Sequence, residues 1–266
     1  APTVSSITWA ANYDDGGYQM TVVFNEAVDE DTAENVLNYR IANTADGYPA
    51  SATLGDDGQT VSLIFSLDQY REVMEAYIRG LERRDEAGLP LDKIASVASF
   101  FVSRIDSKVD KRLQKLMADG SKQAEKAKNL LGRAAIASAK LAYEDYKKVF
   151  YSQRFLKLKE KGANIQRPLW ASTSTKNPEY RDVRYVEELI GPDTVNTIPP
   201  QTLVAFLDHG VVAETLEKNI SDAQACMADL EEIGVSMQAV TDELLEEGVK
   251  AFADAFTVLL EAIDTR

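Results

Sequence analysis

Hydrophobic positions follow two different patterns along this chain, and the change falls near residue 66. Before it, four short runs rich in β-branched and aromatic residues predict strands: SITWAANY, QMTVVFNEAV, NYRIAN and TVSLIF. The turn signals DDGG at 14–17 and DDG at 56–58 suit tight hairpins, because Asp and Gly tolerate positive φ. We therefore expect a β-rich first segment over residues 1–60.

After residue 66 the pattern changes to helices that alternate with strands. Ser66 opens a capping box, apolar residues recur at helical spacing from Tyr70 to Leu81, and Gly88 ends the run. Strands are predicted at 94–102, 167–173 and 194–198, and a helical stretch at 107–160 with breaks near 120 and 132. Further helices are predicted from 199, 221 and 241. Apolar strands separated by helices predict parallel βαβ units and an α/β fold over 61–266.

Charge and hydropathy narrow the classes of partner. The net charge of −14 argues against nucleic-acid binding, which requires a basic surface. Residues 1–67 hold ten acidic side chains and one basic one, Arg40, which indicates that the two segments differ in origin. We expect no membrane partner, because the chain has no run of eighteen apolar residues and no signal-peptide pattern.

The single cysteine and the single histidine limit the chemistry further. Cys226 lies on the apolar side of a predicted helix, where we expect a small buried side chain rather than a reactive thiol. His209 precedes a glycine and is expected at a helix C-terminus. One histidine cannot form a multi-histidine metal site, and we expect neither a metal nor a cofactor.

Five blocks of sequence carry a resemblance to a known family. They are FSLDQYREVMEAYIRGLERR, SVASFFVSRIDSKVDKRL, AAIASAKLAYEDYKKVF, QRPLWASTSTKNPEYRDVRYVEELIGPDTVNTIP and GVKAFADAFTVLLEAI. In order and spacing, the stretch from Thr60 to Ala262 resembles the second half of a Schiff-base transaldolase. The resemblance implies strands five to eight of a (β/α)8 TIM barrel, a half-barrel with chemistry at the C-terminal ends of the strands.

The resemblance also implies a sugar-phosphate site. Arg104 matches the arginine that grips the substrate phosphate, which a guanidinium does through bidentate hydrogen bonds. Six other positions also match the family. In order, they are a phosphate-gripping serine, an aromatic wall of the pocket, a second phosphate hydroxyl, a further cation, a residue on the fifth strand and a residue on the eighth strand: Ser99, Phe101, Ser172, Lys176, Ser62 and Asn196. The alternative for Arg104 is a surface ion pair at a helix entry, with Asp106 or another acid.

The family's catalytic motifs are harder to find. Its Schiff-base lysine stands in an Ile-Lys-Ile/Val-Pro-Ala-Thr setting that does not occur here, and the first lysine is Lys93. The first-strand Asp, the Thr-Ser-Asn-Pro motif and the third-strand Glu are also absent. We therefore expect no catalytic residue and a protein without turnover that retains sugar-phosphate affinity. The alternative is an active transaldolase, which transfers a dihydroxyacetone unit, with Lys93 or Lys176 as a replacement nucleophile.

The β-rich segment resembles a bacterial immunoglobulin-like surface module, although only about five strands of such a module are visible. This resemblance implies a chimera and leaves a third alternative, a non-enzymatic adhesion or structural module. The barrel-like part predicts a cytoplasmic location, and the β-rich part an extracellular one. An open half-barrel leaves an apolar face uncovered, so we expect a homo-oligomer formed through that face. Two alternatives are that the β-rich segment packs over the face, or that the protein aggregates.

Overall fold

The structure, a computed structural model, describes residues 4–12, 17–24, 67–120 and 122–264. Side chains are described over most of 68–248 and at two later positions. Several predicted features lie outside the described residues: the strands NYRIAN and TVSLIF, the turn residues 14–16 and 56–58, and Ser62.

The first two predicted strands form a hairpin. Strand β1 (Val4–Asn12) pairs antiparallel with β2 (Gly17–Phe24), with Asn12 opposite Gly17 at the closed end. The pairing confirms the β-rich pattern over these two runs, because period-2 alternation with a short connection favours adjacent antiparallel strands.

A parallel sheet organises the rest of the described chain. Strand β3 (Ser96–Phe101) pairs with β4 (Gln166–Ala171), and β4 pairs with β5 (Val195–Asn196), in the order β3-β4-β5. The helix-strand alternation therefore gives the expected α/β fold with parallel strands, which is consistent with a TIM-barrel family. Strand β5 is shorter than the run predicted at 194–198, although the amide of Thr197 still donates to the carbonyl of Trp170 at 3.0 Å.

The helices follow the predicted order, with one short helix, Arg184–Glu188, that was not predicted. Helix α1 occupies Leu67–Glu86, and the stretch between β3 and β4 contains α2 (Ser103–Ala118), α3 (Ala124–Leu130), α4 (Ala134–Phe150) and α5 (Gln153–Glu160). After β4 come α6 (Arg184–Glu188), α7 (Pro200–His209), α8 (Ile220–Glu232) and α9 (Met237–Asp264). The two predicted breaks near Gly120 and Gly132 are present, both with positive φ. None of the described helices is both long and apolar enough to cross a bilayer.

Aromatic side chains hold the helices against one face of the sheet. The Phe100 ring on β3 makes edge-on contacts with Tyr70 on α1 at 6.3 Å and with Trp170 on β4 at 6.2 Å between ring centroids. Tyr143 and Tyr146 on α4 stack at 5.4 Å and are fully buried. Burying such rings removes large apolar areas from water, so this layer fixes the position of β3 and β4.

Two buried carboxylates on α2 fix the start of α4. Asp106 accepts hydrogen bonds from the amide of Ala135 and the hydroxyl of Tyr185, both at 2.8 Å. One helical turn later, Asp110 accepts one from the amide of Gly132 at 2.8 Å. Amides at a helix start have no partner within their own helix, so the α2 carboxylates take the place of a local cap.

Candidate functional site

The carboxyl ends of β3 and β4 continue side by side into the segments that follow them. The amide of Val102 donates to the carbonyl of Ala171, and the amide of Ser103 to that of Ser172, both at 3.0 Å. These bonds extend the parallel pairing beyond the strands. Residues 102–104 and 172–173 therefore lie together at one end of the sheet, where parallel α/β sheets bind ligands.

A set of hydroxyl groups joins the three strand ends. The hydroxyls of Ser103 and Ser172 lie 3.1 Å apart, and both residues are buried. Thr173 is fully buried and donates to the amide oxygen of Asn196 at 2.8 Å. Ser172 has a left-handed backbone with φ of 57°, which costs free energy for a residue with a Cβ. Such strain is typical of positions where a side chain must be aimed, as at a binding site.

Ser99 and Phe101 lie on the sheet face that is turned away from the aromatic layer. Along β3 the buried residues are Ala98 and Phe100, while Ser99 and Phe101 are only half-buried. Successive strand residues point to opposite faces, so Ser99 and Phe101 share one face. In the pairing register Ser99 stands opposite Leu169 of β4.

Arg104 lies in the first turn of α2 and stacks on Phe101. Its guanidinium carbon is 5.1 Å from the centre of the Phe101 ring, a cation–π contact. Among the described residues, Arg104 forms no ion pair with a carboxylate. The alternative pairing with Asp106 is wrong, because that carboxylate is buried and bonded to Ala135 and Tyr185. The N-terminus of α2 also has no side-chain cap, so Arg104 and the helix end can both receive an anion.

The structure brings only some of the predicted site residues together. Arg104 contacts Phe101, and Ser99 lies on the same sheet face as Phe101. Ser172 contacts Ser103, the residue before Arg104. Asn196 also lies at the strand ends, but its side-chain oxygen is already bonded to Thr173. Lys176 is exposed in the loop after β4, and its ammonium donates to the Ser174 hydroxyl at 3.0 Å.

Sequence comparison identifies the family of this chain. The family model for transaldolase/fructose-6-phosphate aldolase matches residues 31–263. The chain belongs to this family. It is 50% identical over 230 residues to a transaldolase of Parafrankia sp., 49% over 227 to transaldolase 1 of Streptomyces coelicolor, and 47% over 229 to a transaldolase of Mycobacterium tuberculosis.

Coverage differs between the chain and these relatives. The matches include 85%, 84% and 85% of this chain but 61%, 58% and 60% of the three relatives. The chain thus spans about three-fifths of their length. The family match begins at residue 31, inside the segment that resembles an immunoglobulin-like module, and the comparisons give no support to that module or to a chimera.

Two members of the strand-end set, Ser103 and Thr173, were missed by the sequence reasoning. The available signal was their position directly after apolar strands, where a barrel of this family places its chemistry. The resemblance directed attention to the neighbouring residues Arg104 and Ser172 instead. Only the structure shows that the hydroxyls of 103 and 172 are in contact.

His209 ends α7, as expected, and ties this helix to the loop after β4. Its Nε2 lies 2.9 Å from a carboxylate oxygen of Asp182, and its Nδ1 lies 3.1 Å from one of Asp208. The hydrogen bonds to Asp182 and then Asp208 raise the pKa of His209 above its usual value. The imidazole is exposed, so we read this contact as an anchor for the loop rather than as a catalytic group.

The described residues also bear on whether the chain has a metal site or a reactive thiol. Within the described residues, no group of three His, Cys, Asp or Glu side chains is placed to hold a metal ion. Cys226 is buried, as expected, and burial raises the pKa of its thiol to about 11. At neutral pH the thiol is therefore protonated and a poor nucleophile.

Proposed function

We propose that this chain has a transaldolase-type function and that its strand ends hold the phosphate group of a sugar phosphate. The observation that carries the proposal is Arg104, stacked on Phe101 beside Ser99 and without a carboxylate partner among the described residues. A guanidinium with no carboxylate partner among the described residues keeps its N–H donors for an anionic ligand. The support from outside the structure is the family itself, whose relatives named above are transaldolases.

The geometry suggests how the phosphate is held. A guanidinium offers two parallel N–H groups to two phosphate oxygens. The cation–π contact with Phe101 limits the side-chain motion of Arg104, so less conformational entropy is lost when the anion binds. The Ser103–Ser172 pair shares one hydrogen between two hydroxyls, which leaves one O–H to donate to the ligand. Ser99 supplies a further hydroxyl from the same sheet face.

The reaction of a Schiff-base transaldolase needs an amine beside the substrate carbonyl. Lys93 precedes β3 and lies at the amino end of that strand, away from the strand-end hydroxyls. Lys176 follows β4 at the carboxyl end, so it is the better placed of the two candidate lysines. Its bond to Ser174 equally suits a role as a cation for the phosphate.

Trapping with borohydride in the presence of fructose 6-phosphate separates these roles. A covalent adduct that disappears in Lys176→Met would identify Lys176 as the nucleophile. An adduct that survives in this variant would assign the Schiff base to another lysine. The matched control is Lys122→Met, which removes a lysine from the α2–α3 connection.

A second candidate function is sugar-phosphate binding without turnover. It is favoured by the absence of the family's lysine motif from the sequence. Under this alternative, borohydride gives no adduct with any variant, while fructose 6-phosphate still binds. Loss of both adduct and binding would contradict both candidates.

The position of each strand within a complete barrel is also part of this proposal. We assign β3, β4 and β5 to the sixth, seventh and eighth strands of a (β/α)8 barrel, with 60–65 as the fifth. The domain boundary at residue 60 remains a prediction, because residues 25–66 lie outside the described part. Self-association through an open half-barrel and a cytoplasmic location remain predictions as well.

A further inference from the structure

A cavity of about 170 Å³ lies among α4, α6 and the start of α8. No residue of the described sheet lines it, so the cavity is separate from the strand ends. Its lining includes three cations from two elements: Arg133 and Lys140 from the N-cap and second turn of α4, and Arg184 from α6. In a strongly acidic protein, such a convergence of positive charge requires an explanation.

Neither arginine forms a salt bridge within the described part of the chain, although Arg184 is close enough to Asp106 to offset part of the rise in pKa that burial gives that carboxyl. Arg184 stacks on the Tyr180 ring at 4.8 Å. Arg133 makes one weak hydrogen bond, at 3.4 Å, to the carbonyl of Asn129. Neither of them forms an ion pair with a described carboxylate. Both guanidinium groups therefore keep most of their N–H donors for a ligand.

Lys140 supplies the buried charge of the cavity. Its side chain is almost fully buried, and its ammonium donates to a carboxylate oxygen of Glu188 and to the carbonyl of Lys218, both at 3.2 Å. These two bonds leave one of its three N–H groups unassigned. A buried ammonium is costly to desolvate, so a further negative partner would be favourable here.

The start of α8 adds to the positive potential. Asn219 precedes the helix with a left-handed backbone and makes no side-chain cap, so the first amides of α8 have no side-chain acceptor. The helix dipole favours negative charge at this end. Two carboxylates, Glu188 and Asp222, line the same cavity and can accept hydrogen bonds from hydroxyl groups. Three cations against two carboxylates leave a positive excess.

We propose that this cavity binds a small phosphate-bearing anion, at a site separate from the strand ends. The cations and the α8 amides receive the phosphate, and the two carboxylates receive hydroxyl groups where the ligand carries them. Two sources share this chemistry: free inorganic phosphate and a phosphorylated polyol. The proposal does not depend on the transaldolase-type function, because it uses none of the strand-end residues.

Calorimetry at low salt on the whole chain tests the proposal, with inorganic phosphate and glycerol 3-phosphate as probes. The Arg104→Gln background weakens the strand-end site, so the remaining binding reports the cavity. In that background we expect Arg133→Gln to lower the affinity about tenfold, since it removes a charge-assisted hydrogen bond. Arg133 is exposed, so this variant should fold, which circular dichroism checks. The matched control is Arg79→Gln, an exposed arginine on α1, which should change nothing.

The affinities of the two probes distinguish the two possible ligands of the cavity. Tighter binding of glycerol 3-phosphate than of phosphate assigns the cavity to phosphorylated polyols, and equal affinities assign it to free phosphate. The proposal is overturned if the Arg104→Gln protein binds neither probe. It is also overturned if Arg133→Gln and Arg79→Gln bind with the affinity of their common background. Neither result would bear on the strand-end site, which is tested by Arg104→Gln in the otherwise unchanged chain.

Discussion

At the scale of single residues, the role of each charged group depends on whether it already has a partner. Arg104 and Asp106 are two positions apart, yet one faces an aromatic ring and the other is buried under α4. Sequence separation suggested a local ion pair. The structure shows instead that helical geometry sends i and i+2 to different sides. The absence of the local pair leaves Arg104 for an anion.

His209 provides a residue-scale prediction that depends on pH. Hydrogen bonds with Asp182 and then Asp208 raise its folded-state pKa, so the protonated form is favoured by folding. The stabilising contribution is fully present below the unfolded value near 6.5 and is lost as pH rises through the higher folded value. The chain has one histidine, so a proton NMR titration gives one uncrowded curve.

The expected titration midpoint lies above 6.5 in the unchanged protein. Asp182→Asn removes the first-named cause and should lower the midpoint. Asp92→Asn, an exposed aspartate before β3, serves as the matched control and should leave it unchanged. A midpoint that does not move in Asp182→Asn would contradict the contact between α7 and the loop after β4.

At the scale of elements, much of the order was predictable, because hydrophobic periodicity and glycine breaks are local signals. The helix over 67–86, the breaks at Gly120 and Gly132 and the strand at 96–101 all follow from the sequence. The short β5 was not predicted, because its length depends on pairing with β4. The carboxylates of Asp106 and Asp110 were not predicted as helix anchors either, since their partners lie more than twenty residues away.

The anchor at Asp106 gives an element-scale prediction. Burial is the main cause that raises its pKa to about 6, against hydrogen bonds from Ala135 and Tyr185 that lower it. Because the folded pKa exceeds the unfolded value of 3.8, ionisation is less favourable in the folded state. The contribution of this group to stability is therefore greatest below pH 3.8 and declines as pH rises through 6, by no more than about 3 kcal/mol.

Asp106→Asn cannot ionise at this position. The unfolding free energy of the variant minus that of the unchanged protein should therefore be larger at pH 8 than at pH 5. Asp106→Ala also removes both acceptors and should destabilise by about 2 kcal/mol at pH 5. Urea unfolding at both pH values measures these differences. An Asp106→Asn difference that is constant with pH would show that the buried carboxylate does not titrate in this range.

At the scale of the whole molecule, the resemblance identified the family but not the extent of the match. The family match extends to residue 31, whereas the short β-rich runs led the sequence reasoning to place a boundary at 60. Runs of this kind occur both in immunoglobulin-like modules and in barrel strands, and local pattern does not distinguish them.

The proposed half-barrel gives a prediction about assembly. Strand β5 and the exposed apolar side chains of α7, among them Val204 and Leu207, should contact a second copy if the apolar face is completed by self-association. Light scattering after size-exclusion chromatography should then give twice the chain mass of 29.4 kDa, and Leu207→Glu should return the monomer. Leu89→Glu is the control at an exposed leucine outside this face. A monomer at high concentration would contradict self-association.

The central claim is that Arg104 binds the phosphate of a sugar phosphate, and titration calorimetry with fructose 6-phosphate tests it most directly. Arg104→Gln should lower the affinity at least about tenfold, and Arg104→Lys should lower it less, because it keeps the charge but loses the bidentate geometry. Arg79→Gln should bind like the unchanged protein. If Arg104→Gln binds fructose 6-phosphate as tightly as the unchanged protein does, the strand-end phosphate site is wrong.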